Sequence, residues 1–164
     1  MEITINEEQR ANLTNLAAHL KALPDDYGHF GMSTYANVMS DGYLETSCAW
    51  QKPVAIDINV CGTAACAVGH GPVIGIEPLE GEDWTRYAAR AFGATEERYN
   101  LSFDWLFSGS WGDRDDTTKG AAFRIEYYLK HGIPKAFTDA DGYVEDFADD
   151  NTGMDIYAEH GLTL

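Results

Sequence analysis

Apolar residues recur at helical spacing at Leu13, Leu16, Ala17 and Leu20, behind an Asn6–Gln9 pair suited to a capping box and ahead of a stop at Pro24. The pattern predicts an amphipathic helix. Trp84, Tyr87, Ala88 and Ala91 share one face of a second helix from about Glu82 to Phe92, and Gly93 suits a left-handed stop. A third helix, capped by Asp116 or Thr117, runs from Thr118 to His131 and turns Ala122, Ile125, Tyr128 and Leu129 to the core. Its end reads Lys130-His131-Gly132-Ile133-Pro134: cations at the negative end of the helix dipole, then glycine, then proline. Thr95 and Ser102 are candidate N-caps of shorter helices carrying Tyr99, Phe103, Leu106 and Phe107.

Val54, Ile56, Ile58 and Val60 alternate with Ala55, Asp57 and Asn59, which is the period of a half-buried strand. Its expected partner lies within residues 41 to 48, around Asp41-Gly42. Residues 29 to 50 otherwise show no clear period and read as loop and short turns, and Ser108 to Asp116 as a polar loop holding Trp111. The expected fold class is α+β: a mostly helical single domain with a small antiparallel two-stranded element near residues 41 to 60. Residues 1–134 form the compact domain. Residues 135–164, with eight acids and one lysine, read as an acidic appendage packed on it.

Composition supports a folded core. The chain has 164 residues, 45% of them hydrophobic and 12% aromatic, enough to fold without disulfide or metal staples. Eleven Lys and Arg against 27 Asp and Glu leave a net charge of -16, which repels DNA, RNA and anionic membranes at long range. Extended nucleic-acid binding is therefore not expected, whereas a basic protein partner is. The start Met-Glu-Ile-Thr-Ile-Asn-Glu-Glu lacks a signal-peptide pattern, and no run reaches the ~18 apolar residues of a membrane span. The expectation is a soluble protein of a reducing cytoplasm whose three cysteines are thiols or ligands.

Candidate chemistry concentrates in Cys61-Gly-Thr-Ala-Ala-Cys66-Ala-Val-Gly-His70-Gly-Pro72. If Thr63 caps a helix, three readings open. Gly62, Thr63, Ala64 and Ala65 would offer the small side chains, hydroxyl and unpaired N–H groups that hold a phosphate or carboxylate. Arg86, Arg90, Arg114 and Arg124 would add charge, Trp84, Trp105 or Trp111 a stacking surface, and His70 a further polar contact. Cys66 and His70, four positions apart, would share a face as two ligands of a metal, with Cys61 or Cys48 completing a zinc site, although this spacing matches no common zinc pattern. Cys61 near a helix start would favour a thiolate nucleophile, with His70 or His131 as base, but no orienting Asn or Asp stands out. Against all three stands close packing of small residues under a neighbour.

Asp139-Ala140-Asp141-Gly142 resembles part of a calcium loop, but the alignment puts Phe137 and Ala148 where carboxylates are required. Asp113, Asp115 and Asp116 are best explained as acidic partners of the following helix start, and Trp84 and Tyr87 as core residues.

The series Cys61-Gly62-Thr63-x-x-Cys66-x-x-Gly69-His70-x-Pro72, Trp84-x-x-Tyr87, Trp105-x-Phe107, Trp111, Asp116-Thr117 and Ala122-x-Arg124-Ile125-x-Tyr127 resembles short uncharacterised proteins of tailed phages and their bacterial hosts. The likeness spans roughly residues 13 to 134. It implies a compact, mainly helical domain of phage or mobile-element origin, and carries no catalytic role across to these residues. Cys48, the alternation at 54 to 60 and the acidic tail depart from it. The leading expectation is thus a non-enzymatic, phage-type accessory protein, counter-defence in role, that sequesters a small anionic nucleotide-like ligand at the turn 62–70. Gly62, Thr63, Ala64, His70, Trp84, Arg86, Trp111 and Arg124 are its candidate site, without a cofactor. The first alternative is an acidic inhibitor or nucleic-acid mimic binding a host protein. The second is a cysteine-dependent hydrolase or zinc-binding protein using Cys61, Cys66 and His70.

Overall fold

The computed structural model describes residues 5–24, 27–40, 43–57, 64–95 and 101–134. Expectations for 58–63, for a helix following Thr95 and for the acidic segment 135–164 lie outside the described residues. The fold is α+β and mostly helical, with one two-stranded antiparallel sheet.

Helix α1 (Glu7–Ala22) begins with the expected capping box: the Asn6 side chain accepts from the Gln9 N–H at 2.8 Å, and the Gln9 side chain accepts from the Asn6 N–H at 3.0 Å. Leu13, Leu16, Ala17 and Leu20 are buried. The same helix satisfies carbonyls at the end of α3 (Trp84–Phe92). Gln9 Nε2 donates to Ala89 and Arg90, and Asn12 Nδ2 to Ala91, groups that a helix C-terminus leaves without internal partners. Asp83 caps α3 by accepting from the Arg86 N–H, and Gly93 ends it at φ 66°. Helix α5 (Thr118–His131) is capped by Thr117, whose side chain accepts from the Gly120 N–H, and packs against α1 and α4 (Ser102–Phe107). Ser102 opens α4 as its first residue, and its hydroxyl accepts from the Thr95 N–H at 3.0 Å.

The sheet corrects the sequence reading. Its strands are β1 (Asn37–Ser40) and β2 (Tyr43–Thr46), in register from Asn37↔Thr46 to Ser40↔Tyr43, so the two-residue connection is Asp41-Gly42. The strand expected within residues 41 to 48 is β2, but its partner comes from a stretch read as loop. Residues 54–57 form no strand. The outer side of β1 is taken instead by Ala64, whose carbonyl accepts from the Asn37 N–H at 2.6 Å. Within 54–57, Ile56 turns inward at 6% exposure while Val54 and Ala55 face solvent, so an inward-outward pattern appears there without a strand.

Residues 109–113 form a 3-10 turn where a polar loop was expected, and Trp111 on it is fully buried. The core is aromatic, with Trp84, Trp105, Trp111, Tyr87, Phe92 and Phe107 all shielded from water. Among the described residues no helix is long and apolar enough to cross a membrane.

Candidate functional site

The small residues of the cysteine-histidine segment are used in joining chain segments. The Ala65 N–H donates to the His29 carbonyl at 3.0 Å, the Cys66 N–H to the Thr34 carbonyl at 2.8 Å, and the Ala65 carbonyl accepts from the Gly31 N–H at 3.2 Å. Ala64 pairs with Asn37 and Ala65 with Phe30. The helix expected after Thr63 starts later: α2 covers only His70–Val73, with Gly69 as a cap that makes no side-chain bond. The N–H groups of Ala65 and Cys66 are thus not the free donors of a helix start. Gly62 and Thr63 lie outside the described residues. Close packing explains Gly69, where a Cβ would collide with the Tyr35 carbonyl oxygen.

His70 is the buried polar centre of this junction, with no exposed surface. Its Nδ1 lies 3.1 Å from His19 Nε2, near the end of α1, and its Nε2 lies 3.4 Å from the His29 carbonyl oxygen. A carbonyl only accepts, so His70 Nε2 carries the proton, Nδ1 accepts, and His19 Nε2 donates to it. The ring centroids stand 5.2 Å apart, so the facing nitrogens lie close to the line between the rings. That arrangement suits a shared proton, because a metal would need its ligands' lone pairs to converge on a third point. Tyr27 and Phe30 complete the surround at 5.8 and 5.7 Å between ring centres. Burial, followed by the nearby His19 charge, pulls the His70 pKa down to about 4, and burial lowers that of His19 too.

Cys66 is also buried, and burial pushes its thiol up to about 11 although the Gly69 and Val68 N–H groups face the sulfur. Both His70 nitrogens have partners other than Cys66, so the expected Cys66–His70 ligand pair does not converge. Among the described residues no group of three or more His, Cys, Asp or Glu is gathered to hold a metal. Cys48 is half-buried, and Cys61 lies outside the described residues.

The remaining expected site residues are dispersed. Trp84 is fully buried, stacked on Tyr35 at 5.5 Å between centroids, with its indole N–H donating to Ser47 Oγ at 2.8 Å. Trp111 and Arg124 belong to one buried assembly. The guanidinium lies 4.3 Å from the Trp111 ring centre, and Arg124 NH1 bonds Asp115 Oδ2 at 2.7 Å with both side chains wholly shielded. Asp115 Oδ1 accepts from Thr117 Oγ1, which ties this pair to the cap of α5, and Asp116 accepts from the Met32 N–H. Three expected ligand contacts are therefore core residues, because a large ring or guanidinium is buried wherever partners for its polar atoms are built beside it. Arg86 alone among the site's tryptophans and arginines is exposed, 3.6 Å from Asp83.

A different feature faces solvent. Trp50 is 78% exposed, whereas Trp84, Trp105 and Trp111 show no surface. It sits on a turn closed by the Gln51 N–H to the Cys48 carbonyl (2.9 Å) and by the Cys48 N–H to Gln51 Oε1 (2.7 Å). That turn is pinned to the core, since the Ala49 carbonyl accepts from the Trp84 N–H at 3.0 Å and Ser47 accepts from the Trp84 indole. Tyr43 of β2 is 76% exposed and Leu79 55%. Trp50 and Tyr43 fall within the stretch 29 to 50, which shows no clear period, so no spacing in the sequence marks them as outward. No family model, curated protein or solved structure matches the chain.

Proposed function

We propose that this is a non-enzymatic binding protein that engages a basic partner protein through an acidic surface anchored by exposed aromatic side chains. The observation that carries the reading is Trp50, held in water on a turn fastened to buried Trp84. Folding alone gains nothing from leaving an indole exposed, while aromatic anchors presented on an ordered backbone are the side chains that dominate protein interfaces. The net charge of -16 supplies the sign of the partner. Combined with the resemblance to tailed-phage proteins, the reading is of an accessory protein that occupies a basic host protein in the host cytoplasm, with counter-defence as its role.

The nucleotide-capture reading is weaker, because Trp84, Trp111 and Arg124 are enclosed in the core and the Ala65 and Cys66 N–H groups are engaged. Titration with basic proteins such as protamine and histone H1, at about 50 and about 300 mM salt, tests the choice. Binding should weaken with salt and fall about tenfold or more in Trp50→Ala, which leaves the charge unchanged. Equal binding by both forms would reduce the interaction to charge alone and remove the proposal. Thermal stabilisation by mono-, di- or cyclic nucleotides at about 1 mM would restore the other reading.

A further inference from the structure

The Ser47 N–H donates to the Ala36 carbonyl at 2.7 Å, and the register sets these two residues opposite one another. Antiparallel pairing alternates, so Val38 with Glu45 and Ser40 with Tyr43 are the next hydrogen-bonded pairs. The backbone N–H and C=O groups of Leu44 and Thr46 therefore point away from β1. The opposite side of β1 is occupied by Ala64, but among the described residues nothing pairs with this edge of β2. Thr46 does bond across the hairpin through its side chain, Oγ1 donating to Asn37 Oδ1 at 2.8 Å, which holds the strand in register without using its outward backbone groups.

A groove of about 210 Å³ lies against the strand, lined by Val38, Glu45 and Thr46 on the sheet side and by Gln51, Lys52 and Val54 on the loop side. Trp50 precedes the loop side and Tyr43 begins the strand, so both exposed aromatics flank the groove in sequence. An open edge ordinarily invites a second copy of the same chain, yet two chains each carrying -16 repel. A cationic strand is attracted instead. Glu45, on β2 itself, suits a basic residue, Val54 suits an apolar one, and Lys52 disfavours an unbroken run of cations.

We propose that the outer edge of β2 takes an extended segment of the partner, alternating basic and apolar residues, as a third strand of the sheet. The backbone of Leu44 and Thr46 supplies the pairing, and the groove supplies the preference among side chains. This rests on the reading of the protein as a binder of basic partners and specifies how the partner is held.

The probe is an alternating Lys-Val nonapeptide, compared with a Lys-Pro nonapeptide of equal charge that cannot extend a ladder. The Lys-Val peptide is expected to bind at least about tenfold more tightly and to slow hydrogen exchange at the Leu44 and Thr46 amides. Thr46→Pro, which removes an outward N–H, should cancel the difference, while Thr46→Val, which keeps that N–H, should not. Retained Val38 and Glu45 amide protection in Thr46→Pro checks that the hairpin survives, and the exchange measurement on the unmodified protein stands without any variant. Equal binding of both peptides, with Trp50→Ala still weakening it, would overturn strand addition and leave the acidic binder intact. Failure of both peptides, together with indifference of basic proteins to Trp50→Ala, would overturn both. A dimer of the free protein that Thr46→Pro dissociates would assign the edge to a second copy and overturn the proposal.

Discussion

His19 and His70, 51 positions apart, share one proton across 3.1 Å where the end of α1 meets the 64–70 turn. The contact joins two segments that no local pattern relates, and its inner member has no contact with water. A second proton would put a charge among Tyr27, Phe30 and the His29 carbonyl, where burial works against it.

Stability should therefore fall in mild acid. The folded pKa of His70 is depressed from 6.5 to about 4, so the unfolded chain takes up the proton first. The stabilisation is complete above about pH 6.5 and is lost as the pH falls through about 4, with about 2 kcal/mol gone between pH 7 and pH 5. The lowered pKa of His19 acts in the same direction. Urea unfolding at the two pH values measures this, and His70→Gln, which cannot titrate, should show a shallower decline than the wild type. An imidazole of His70 that titrates near 6.5 in the folded protein would contradict the argument.

Arg124 and Asp115 form an ion pair with no exposed side-chain surface. Arg124→Met should cost about 3 to 5 kcal/mol, since it leaves the Asp115 carboxylate buried without its cation. Replacing both, with Asp115→Asn in the same chain, should cost less than the two single changes added together. Denaturant midpoints of the three variants give the coupling. If Arg124 serves a ligand at the surface, its removal should leave stability nearly unchanged.

The Cys66 thiol, pushed up to about 11 by burial, should be inert in the folded state. In a Cys61→Ser background, half-buried Cys48 should react with a disulfide reagent at pH 8 before Cys66 does. Cys66 should be modified only at the rate of unfolding. Rapid reaction of two thiols would point to an open path to Cys66.

Gly69→Ala places a methyl group against the Tyr35 carbonyl oxygen, a backbone atom that cannot rotate away. The expected loss is about 1 to 3 kcal/mol in thermal or chemical unfolding. The β1–β2 amides should lose protection earliest, because Tyr35 leads directly into β1.

The sequence by itself determined the helices whose signals are local. Asn6 and Gln9 form their cap within one turn, Leu13, Leu16, Ala17 and Leu20 mark one face, and Lys130-His131-Gly132 ends α5. Spacing along one helix is visible in the chain because the partners are neighbours. It also placed a strand within residues 41 to 48, where β2 lies, while residues 54 to 57 form no strand and bury Ile56. Strand pairing joins distant segments, so tertiary packing chose Asn37–Ser40 as the partner of β2 and, among the described residues, left the other edge of β2 unpaired. The same packing enclosed Trp84, Trp111 and Arg124, set His19 against His70, and turned Trp50 outward. Which tryptophan meets water depends on whether the fold builds a partner beside its indole. Trp84 has Ser47 and Trp111 has the Trp105 carbonyl, and this is information that residue type and period do not contain.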